Sequence, residues 1–204
     1  MPGAGEGHCL IVGGTRGLGR AVAKVIAASG GRVSVVGRRP PREGLRVAGA
    51  DYWQADAGDS RRFRKMLKQA VARNGPLTGL VLSQRYRGRE SAAELSIGID
   101  AVRRMVLESR PHFSKALSNG IVLIGSAATT QVADSVGVGY HASKGALRQM
   151  LRYFAVALAP KIRVNSVSPG LLLKDEARRY YRSKPGLIET FRKAVPLGRM
   201  GKAE

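Results

Sequence analysis

The sequence predicts an α/β protein, a doubly wound parallel sheet of about six strands with helices on both faces. Three observations predict it. Short β-branched apolar runs alternate with amphipathic stretches along the chain, and the first run breaks at once into a glycine-rich turn. The 204 residues show no internal repeat, low-complexity segment or linker. Such alternation builds βαβ units, whose right-handed crossovers gather ligands at the carboxyl edge of the strands. The length fits one domain over 1–204.

The expected strands are Cys9–Gly13, Arg32–Gly37, Asp51–Gln54, Thr78–Leu82, Gly120–Ser126 and Arg163–Ser168, all with a composition that favours strands over buried helix. A helix over Gly17–Ser29 places Leu18, Val22, Val25 and Ser29 on one face. A second helix over Ser60–Arg73, with Ser60 as its N-cap, aligns Phe63, Met66, Leu67, Ala70 and Val71. A third spans about Ala92–Leu107. A fourth spans about Tyr140–Leu158 and stops near Pro160, which cannot continue a helix. A fifth covers roughly Glu176–Ala194, broken near Pro185-Gly186.

The segment Gly13-Gly14-Thr15-Arg16-Gly17-Leu18-Gly19 lies between the first strand and the first helix. Glycines there permit a tight turn and close approach of backbone to a pyrophosphate, and the helix N-terminus offers free N–H groups and partial positive charge. Strand, turn and helix together make this a Rossmann-like dinucleotide site, although the spacing is Gly-x3-Gly-x-Gly. The alternative is a plain strand–helix turn. An acid at the end of the second strand would select NAD by binding the ribose diol. Here the strand ends Val36-Gly37-Arg38-Arg39. Arg16 and Arg38 can clamp a 2′-phosphate, which points to NADP (NADPH), against the alternative of two solvated arginines. Asp56, after the third strand, is a candidate for the adenine edge or an ordinary loop acid.

With these residues in view, the chain resembles the short-chain dehydrogenase/reductase family. The matching residues are Gly13, Gly17 and Gly19, then Asp56, Ser126, Tyr140 and Lys144, then Arg163-Val164-Asn165-Ser166-Val167-Ser168-Pro169-Gly170. Pro196-Leu197-Gly198-Arg199-Met200-Gly201 resembles the segment after the family's substrate loop. The resemblance implies hydride transfer between nicotinamide and a carbonyl or alcohol, as in 3-oxoacyl-carrier-protein reductases and related ketoreductases. Tyr140 would be the general acid and base, Lys144 its charged neighbour and a ligand of the nicotinamide ribose, and Ser126 a hydrogen-bond donor to the substrate oxygen. A free tyrosine ionises near pH 10, and a positive charge one helical turn away favours its ionised form. The cofactor set implied is Gly13, Thr15, Arg16, Gly17, Leu18, Gly19, Arg38, Asp56, Ser83, Tyr140, Lys144, Pro169 and Gly170. A second Tyr-x3-Lys pair, Tyr180 and Lys184, stands 14 residues after Ser166, the interval from Ser126 to Tyr140. Pro185 directly after Lys184 places that pair at a helix end or in a loop, and the family's order selects Tyr140.

Three departures stand against this pattern. Gly98 falls where the family usually has a helix asparagine that supports a water-mediated proton relay. The usual Asn-Asn-Ala-Gly after the fourth strand is replaced by Ser83-Gln84-Arg85-Tyr86-Arg87-Gly88. The chain ends at Glu204, so a sheet without the family's seventh strand is expected. The stretch 171–195 corresponds to the family's substrate loop. Its Lys174, Arg178, Arg179, Arg182 and Lys184 suit an anionic or carrier-bound substrate or simply form a solvated basic helix, and Leu171-Leu172-Leu173 offers an apolar wall or core.

Composition bounds the alternatives. Lys and Arg number 35 against 14 acids, a net charge of +21 that attracts anions in general. Nucleic-acid binding would rest on charge alone, because no helix-turn-helix, zinc or RNA-binding motif appears and aromatics are only 5%. A specific nucleic-acid partner and a metal site are therefore not expected. No apolar run reaches membrane-spanning length, the start lacks a signal-peptide pattern, and one cysteine cannot form an internal disulfide. A cytoplasmic location is expected, with a homo-oligomer (dimer or tetramer) implied by the resemblance. Two readings of function follow. One is an NADP(H)-dependent oxidoreductase acting on a small-molecule carbonyl substrate. The other is a catalytically weak or inactive NADP(H)-binding sensor or partner protein.

Overall fold

The computed structural model describes residues 7–88, 90–115, 118–132, 136–173, 181 and 183–203. The chain runs β1 (His8–Val12), α1 (Gly17–Ala28), β2 (Arg32–Gly37), β3 (Ala50–Gln54), α2 (Ser60–Asn74) and β4 (Leu77–Leu82). Then come α3 (Ser91–Leu95), a π-helical segment (Ser96–Asp100), α4 (Ala101–Ser109), β5 (Asn119–Ile124), α5 (Val138–Ala157) and β6 (Ile162–Val167). The final described elements are β7 (Leu172–Leu173), α6 (Pro185–Ala194) and β8 (Gly201–Lys202).

Six parallel strands form one sheet in the order β3-β2-β1-β4-β5-β6. The order reverses between β1 and β4, which opens a crevice at their carboxyl ends. Burial explains the centre of the sheet. Every residue of β1 is buried, as a strand covered on both faces requires. Alternation then sorts its side chains. Leu10 and Val12 join Phe63, Leu67, Leu80, Val102, Met105, Leu123 and Phe154 on the side of α2, α4 and α5. Cys9 and Ile11 join Ala23, Val33, Val35 and Val81 on the side of α1. No helix among the described residues is long and apolar enough to cross a membrane.

The six strands are the expected ones. All but β2 begin one residue earlier than the apolar runs suggest, because ladder pairing rather than hydrophobicity sets the boundary: His8 already faces Arg32, and Asn119 faces Ile162. The N-cap of α2 is Asp59, not Ser60; the Asp59 carboxylate accepts a hydrogen bond from the Arg62 amide at 2.9 Å. The expected third helix is a longer helical run over 91–109, interrupted by the π segment that carries Gly98. Helix α5 begins at Val138, two residues before Tyr140. Of the expected helix over 176–194, the structure describes Pro185–Ala194; residues 174–180 and Arg182 lie outside the described residues. Leu172 and Leu173 pair in parallel with Gly201 and Lys202, a small second sheet that sequence patterning did not suggest.

Candidate active site

The crevice begins at the glycine turn. Gly13 has φ +80° and Gly17 φ +56°, backbone that favours glycine. A Cβ on Gly13 would stand 2.7 Å from the Gln84 amide nitrogen, so the turn lies directly on the loop after β4. A Cβ on Gly19 would meet the Gly13 carbonyl oxygen at 2.6 Å, which fixes how closely α1 rises from the turn. Helix α1 has no side-chain cap and no acid in its first turn. Its first N–H groups therefore face the crevice edge with their partial positive charge uncompensated by any carboxylate of that turn.

The turn also touches the end of β2. A Cβ on Gly37 would fall 2.6 Å from Thr15 Cγ2. Arg16 and Arg38 each follow one of these touching residues, and both are exposed. Neither forms an ion pair among the described residues. This cradle fits a dinucleotide phosphate: small residues where backbone must come close, free amides, and two available guanidinium groups. Asp56 follows β3 and uses Oδ1 to accept the Gly58 amide hydrogen bond at 2.8 Å, so it shapes its own loop.

Tyr140 and Lys144 lie on α5, and Ser126 follows β5. Lys144 donates from Nζ to the Ile124 carbonyl at 2.7 Å, pinning α5 to the end of β5. The same Nζ lies 5.7 Å from the centre of the Tyr140 ring, as expected for residues one turn apart. Burial, together with the nearby Arg85 cation, pushes the Lys144 pKa down to about 8, while Glu94 opposes that drop. Ser126 follows β5 with extended backbone and caps the short turn Ala127–Thr129, its Oγ accepting from the Ala128 amide at 3.2 Å. The hydroxyl proton of Ser126 is not consumed by that bond. Pro169 closes this side, its carbonyl accepting from the Ala127 amide at 3.0 Å. Gly170 is exposed beside it, and Ser83 accepts no such closure but anchors the β4 end through its amide to the Val12 carbonyl at 2.9 Å.

Close contacts thus link Gly13 to the β4 loop, the β4 loop to Tyr140, and Lys144 to the end of β5, the strand that runs into Ser126. The link from β4 to Tyr140 is Arg85, whose guanidinium carbon sits 4.9 Å from the Tyr140 ring centre. Arg85 was not singled out in the sequence, where it is one basic residue of an atypical loop; only its three-dimensional placement over the tyrosine marks it. Of the rival pair, Tyr180 lies outside the described residues, and Lys184 stands just before α6.

The comparisons with known proteins bear on the family and the fold. A family model described as enoyl-(acyl carrier protein) reductase matches residues 12–204. A tropinone reductase homolog of Arabidopsis thaliana is 31% identical, the match covering 96% of this chain and 80% of that protein. A 3-oxoacyl-[acyl-carrier-protein] reductase of Mus musculus is 26% identical over 95% of this chain and 84% of its own length. A solved structure from Brucella melitensis, described as a short-chain dehydrogenase/reductase of the glucose/ribitol dehydrogenase type, superposes with a TM-score of 0.83. It is 27% identical, with 97% of this chain and 84% of that chain covered.

Proposed function

The chain belongs to the short-chain dehydrogenase/reductase family of nicotinamide-dependent oxidoreductases, and we propose that it is an NADP(H)-dependent reductase of a carbonyl substrate. The observation that carries this reading is the placement of Tyr140 and Lys144. The lysine lies one helical turn from the tyrosine, anchored on the Ile124 carbonyl at the end of β5 and 5.7 Å from the tyrosine ring centre. Gly13, Thr15, Gly17, Leu18 and Gly19 would hold the pyrophosphate, Arg16 and Arg38 the 2′-phosphate, and Lys144 the nicotinamide ribose. Asp56, Ser83, Pro169 and Gly170 would border the remaining cofactor surface.

The bound nicotinamide supplies the hydride. The protein supplies position and a proton. Ser126 and Tyr140 donate hydrogen bonds to the carbonyl oxygen, polarising it and fixing its face. As negative charge builds on that oxygen, Tyr140 passes its phenolic proton across. The Lys144 ammonium favours the negative charge left on the phenolic oxygen. Proton uptake from solvent then restores Tyr140. Arg85, exposed and close to the tyrosine ring, suits an anionic group on the substrate. The basic stretch 171–195 would act as the lid over such a substrate.

A second reading keeps NADP(H) binding without turnover. Arg85 over the Tyr140 ring favours it, because a guanidinium in that place competes with substrate for the tyrosine's exposed face.

One experiment separates the readings. NADPH oxidation is followed against a carbonyl panel that includes β-keto thioesters, with NADPH and NADH binding measured by calorimetry. Tyr140→Phe is expected to lower the rate at least about a hundredfold, the scale of lost general acid catalysis. NADPH affinity should be unchanged and well above that for NADH. Full activity in Tyr140→Phe overturns the acid–base role. Equal affinity for the two cofactors overturns the NADP assignment, and tight NADPH binding without any turnover selects the second reading.

A further inference from the structure

A small, partly open space lies where the ends of β4 and β5 meet α5 and the π segment. Leu82, Gln84, Gly98, Val102, Lys144 and Leu147 are among its walls. Its volume is about 10 Å³, the room one water molecule occupies. The lining residues are mostly apolar, but polar atoms form a comparable part of the exposed wall. The side chains of Gln84 and Lys144 bring polar atoms to it.

Both of those side chains have unfinished hydrogen bonding. Gln84 Oε1 is buried and has no hydrogen-bond partner among the described residues. A buried amide oxygen left this way is costly, and native structures pair nearly all such atoms with protein or with ordered water. Lys144 has three N–H donors and spends one on the Ile124 carbonyl. The third polar-capable wall, the π segment, contributes nothing from its side chain. A Cβ on Gly98 would stand 2.9 Å from Ser143 Cβ and 3.2 Å from Ser143 Oγ. A side chain at position 98 would require Ser143 or the helices to shift, and among the lining side chains Gln84 is the one that offers the lysine a hydrogen-bond acceptor.

We propose that Gln84 is a positioning residue for Lys144, its Oε1 accepting a hydrogen bond from the ammonium through one water held in this space. The consequence is a fixed ammonium beside the Tyr140 ring, tied to Ile124 on one side and to Gln84 on the other. The charged groups that act on Lys144 do not replace this. Arg85 repels it, and Glu94 attracts it without an ion pair forming among the described residues. A neutral acceptor steadies the cation without cancelling its charge, which a carboxylate in the same place would do. The sequence alone hides this role, because Gln84 reads as one polar residue in an atypical loop.

The proposal rests on the reading of Tyr140 and Lys144 as the proton-transfer pair, but its test does not need turnover. The Lys144 ammonium is titrated by ¹⁵N-lysine NMR in full-length protein, assigned with Lys144→Arg. Gln84→Leu is expected to lower the Lys144 midpoint by about one pH unit, a tenfold change in its proton equilibrium from the lost acceptor. Gln84→Glu is expected to move it in the opposite direction, and Gln84→Asn to restore part of the wild-type value. Where turnover is measurable, kcat falls in Gln84→Leu while NADPH affinity is retained. A midpoint unchanged in Gln84→Leu overturns the proposal. If Gln84→Leu does not fold, Gln84→Met replaces it, and an unchanged midpoint there overturns the proposal. Absence of any carbonyl reduction by wild-type protein counts against the reductase reading and leaves the titration result standing.

Discussion

Lys144 carries its charge where burial disfavours it. Its ordinary value of 10.5 falls to about 8 in the folded protein. Between those two pH values the unfolded chain holds a proton that the folded chain has released. Stability therefore rises with pH across that window, and below about pH 8 the cost of the buried cation is fully present. Lys144→Met removes the titration. Unfolding of wild type and variant in urea, measured from pH 7 to pH 10.5, is expected to show wild type gaining on the variant as pH rises. The gain is at most about 3.5 kcal/mol, since each pH unit of displacement is worth roughly 1.4 kcal/mol. Parallel curves would show that Lys144 is solvated in the native state. Burial, Arg85, Glu94 and the Ile124 carbonyl act on this residue, and none of these three partners shares its helix. That is why Tyr140 and Lys144 could be picked from sequence while their surroundings could not: helical spacing is local, and the cavity around the ammonium is assembled from two strands' ends, the π segment and two helices.

At the scale of elements, a polar network ties the helical layer to the sheet on the side away from the crevice. His8, fully buried at the start of β1, meets the Gly75 carbonyl from Nδ1 at 2.8 Å and Ser34 Oγ from Nε2 at 2.9 Å. The carbonyl can only accept, so Nδ1 carries the hydrogen, and Ser34 donates to Nε2. Ser34 Oγ in turn accepts from Asn74 at 3.0 Å and from the Trp53 indole at 3.1 Å. One hydroxyl thus serves β1, β2, β3 and the end of α2. Burial lowers the His8 pKa below 6.5, which agrees with a neutral ring. Ser34→Ala leaves the His8 and Trp53 nitrogens buried without this partner. It is expected to cost about 1–3 kcal/mol, each worth roughly 2–4 °C in Tm for a protein of this size. Thermal unfolding followed by Trp53 fluorescence measures it, and an unchanged Tm would show that water enters to replace the hydroxyl. The strands of this network were legible as β-branched runs, and the phosphate turn was legible because its glycines sit between strand and helix. Asp59 as the cap of α2, the π segment at Gly98 and the β7–β8 pair were not. The first turns on which of two adjacent polar residues adopts extended backbone. The second turns on helix contact with Ser143, and the third on a pairing between residues 29 apart in the chain.

The whole molecule must hold a net charge of +21 with few internal partners for it. Among the described residues the ion pairs are Arg62–Asp59, Arg64–Glu108 and Arg73–Asp51, and their arginines are largely exposed, so each contributes little. Most of the positive charge faces solvent and repels itself, a term that disfavours the compact state. The charge has a use at the sheet edge as well. In β6, which pairs only with β5 among the described strands, Arg163 and Asn165 are exposed while Ile162 and Val164 are buried, and a charged edge discourages pairing with another chain. Self-repulsion between exposed charges is screened over about 10 Å at 0.1 M salt and about 3 Å at 1 M. Raising sodium chloride from about 0.02 M to about 0.5 M is therefore expected to raise Tm, the opposite of what a fold held by surface ion pairs would show. Chloride is the right probe, because phosphate or sulfate would also occupy the glycine turn and stabilise by binding. The same field predicts retention on a polyanion column that weakens steeply with salt, without preference for any nucleic-acid sequence. A Tm that stays flat or falls with sodium chloride would mean that the basic residues are already neutralised by one another's placement or by tightly held anions, and the basic surface would then have to be read as a set of specific sites.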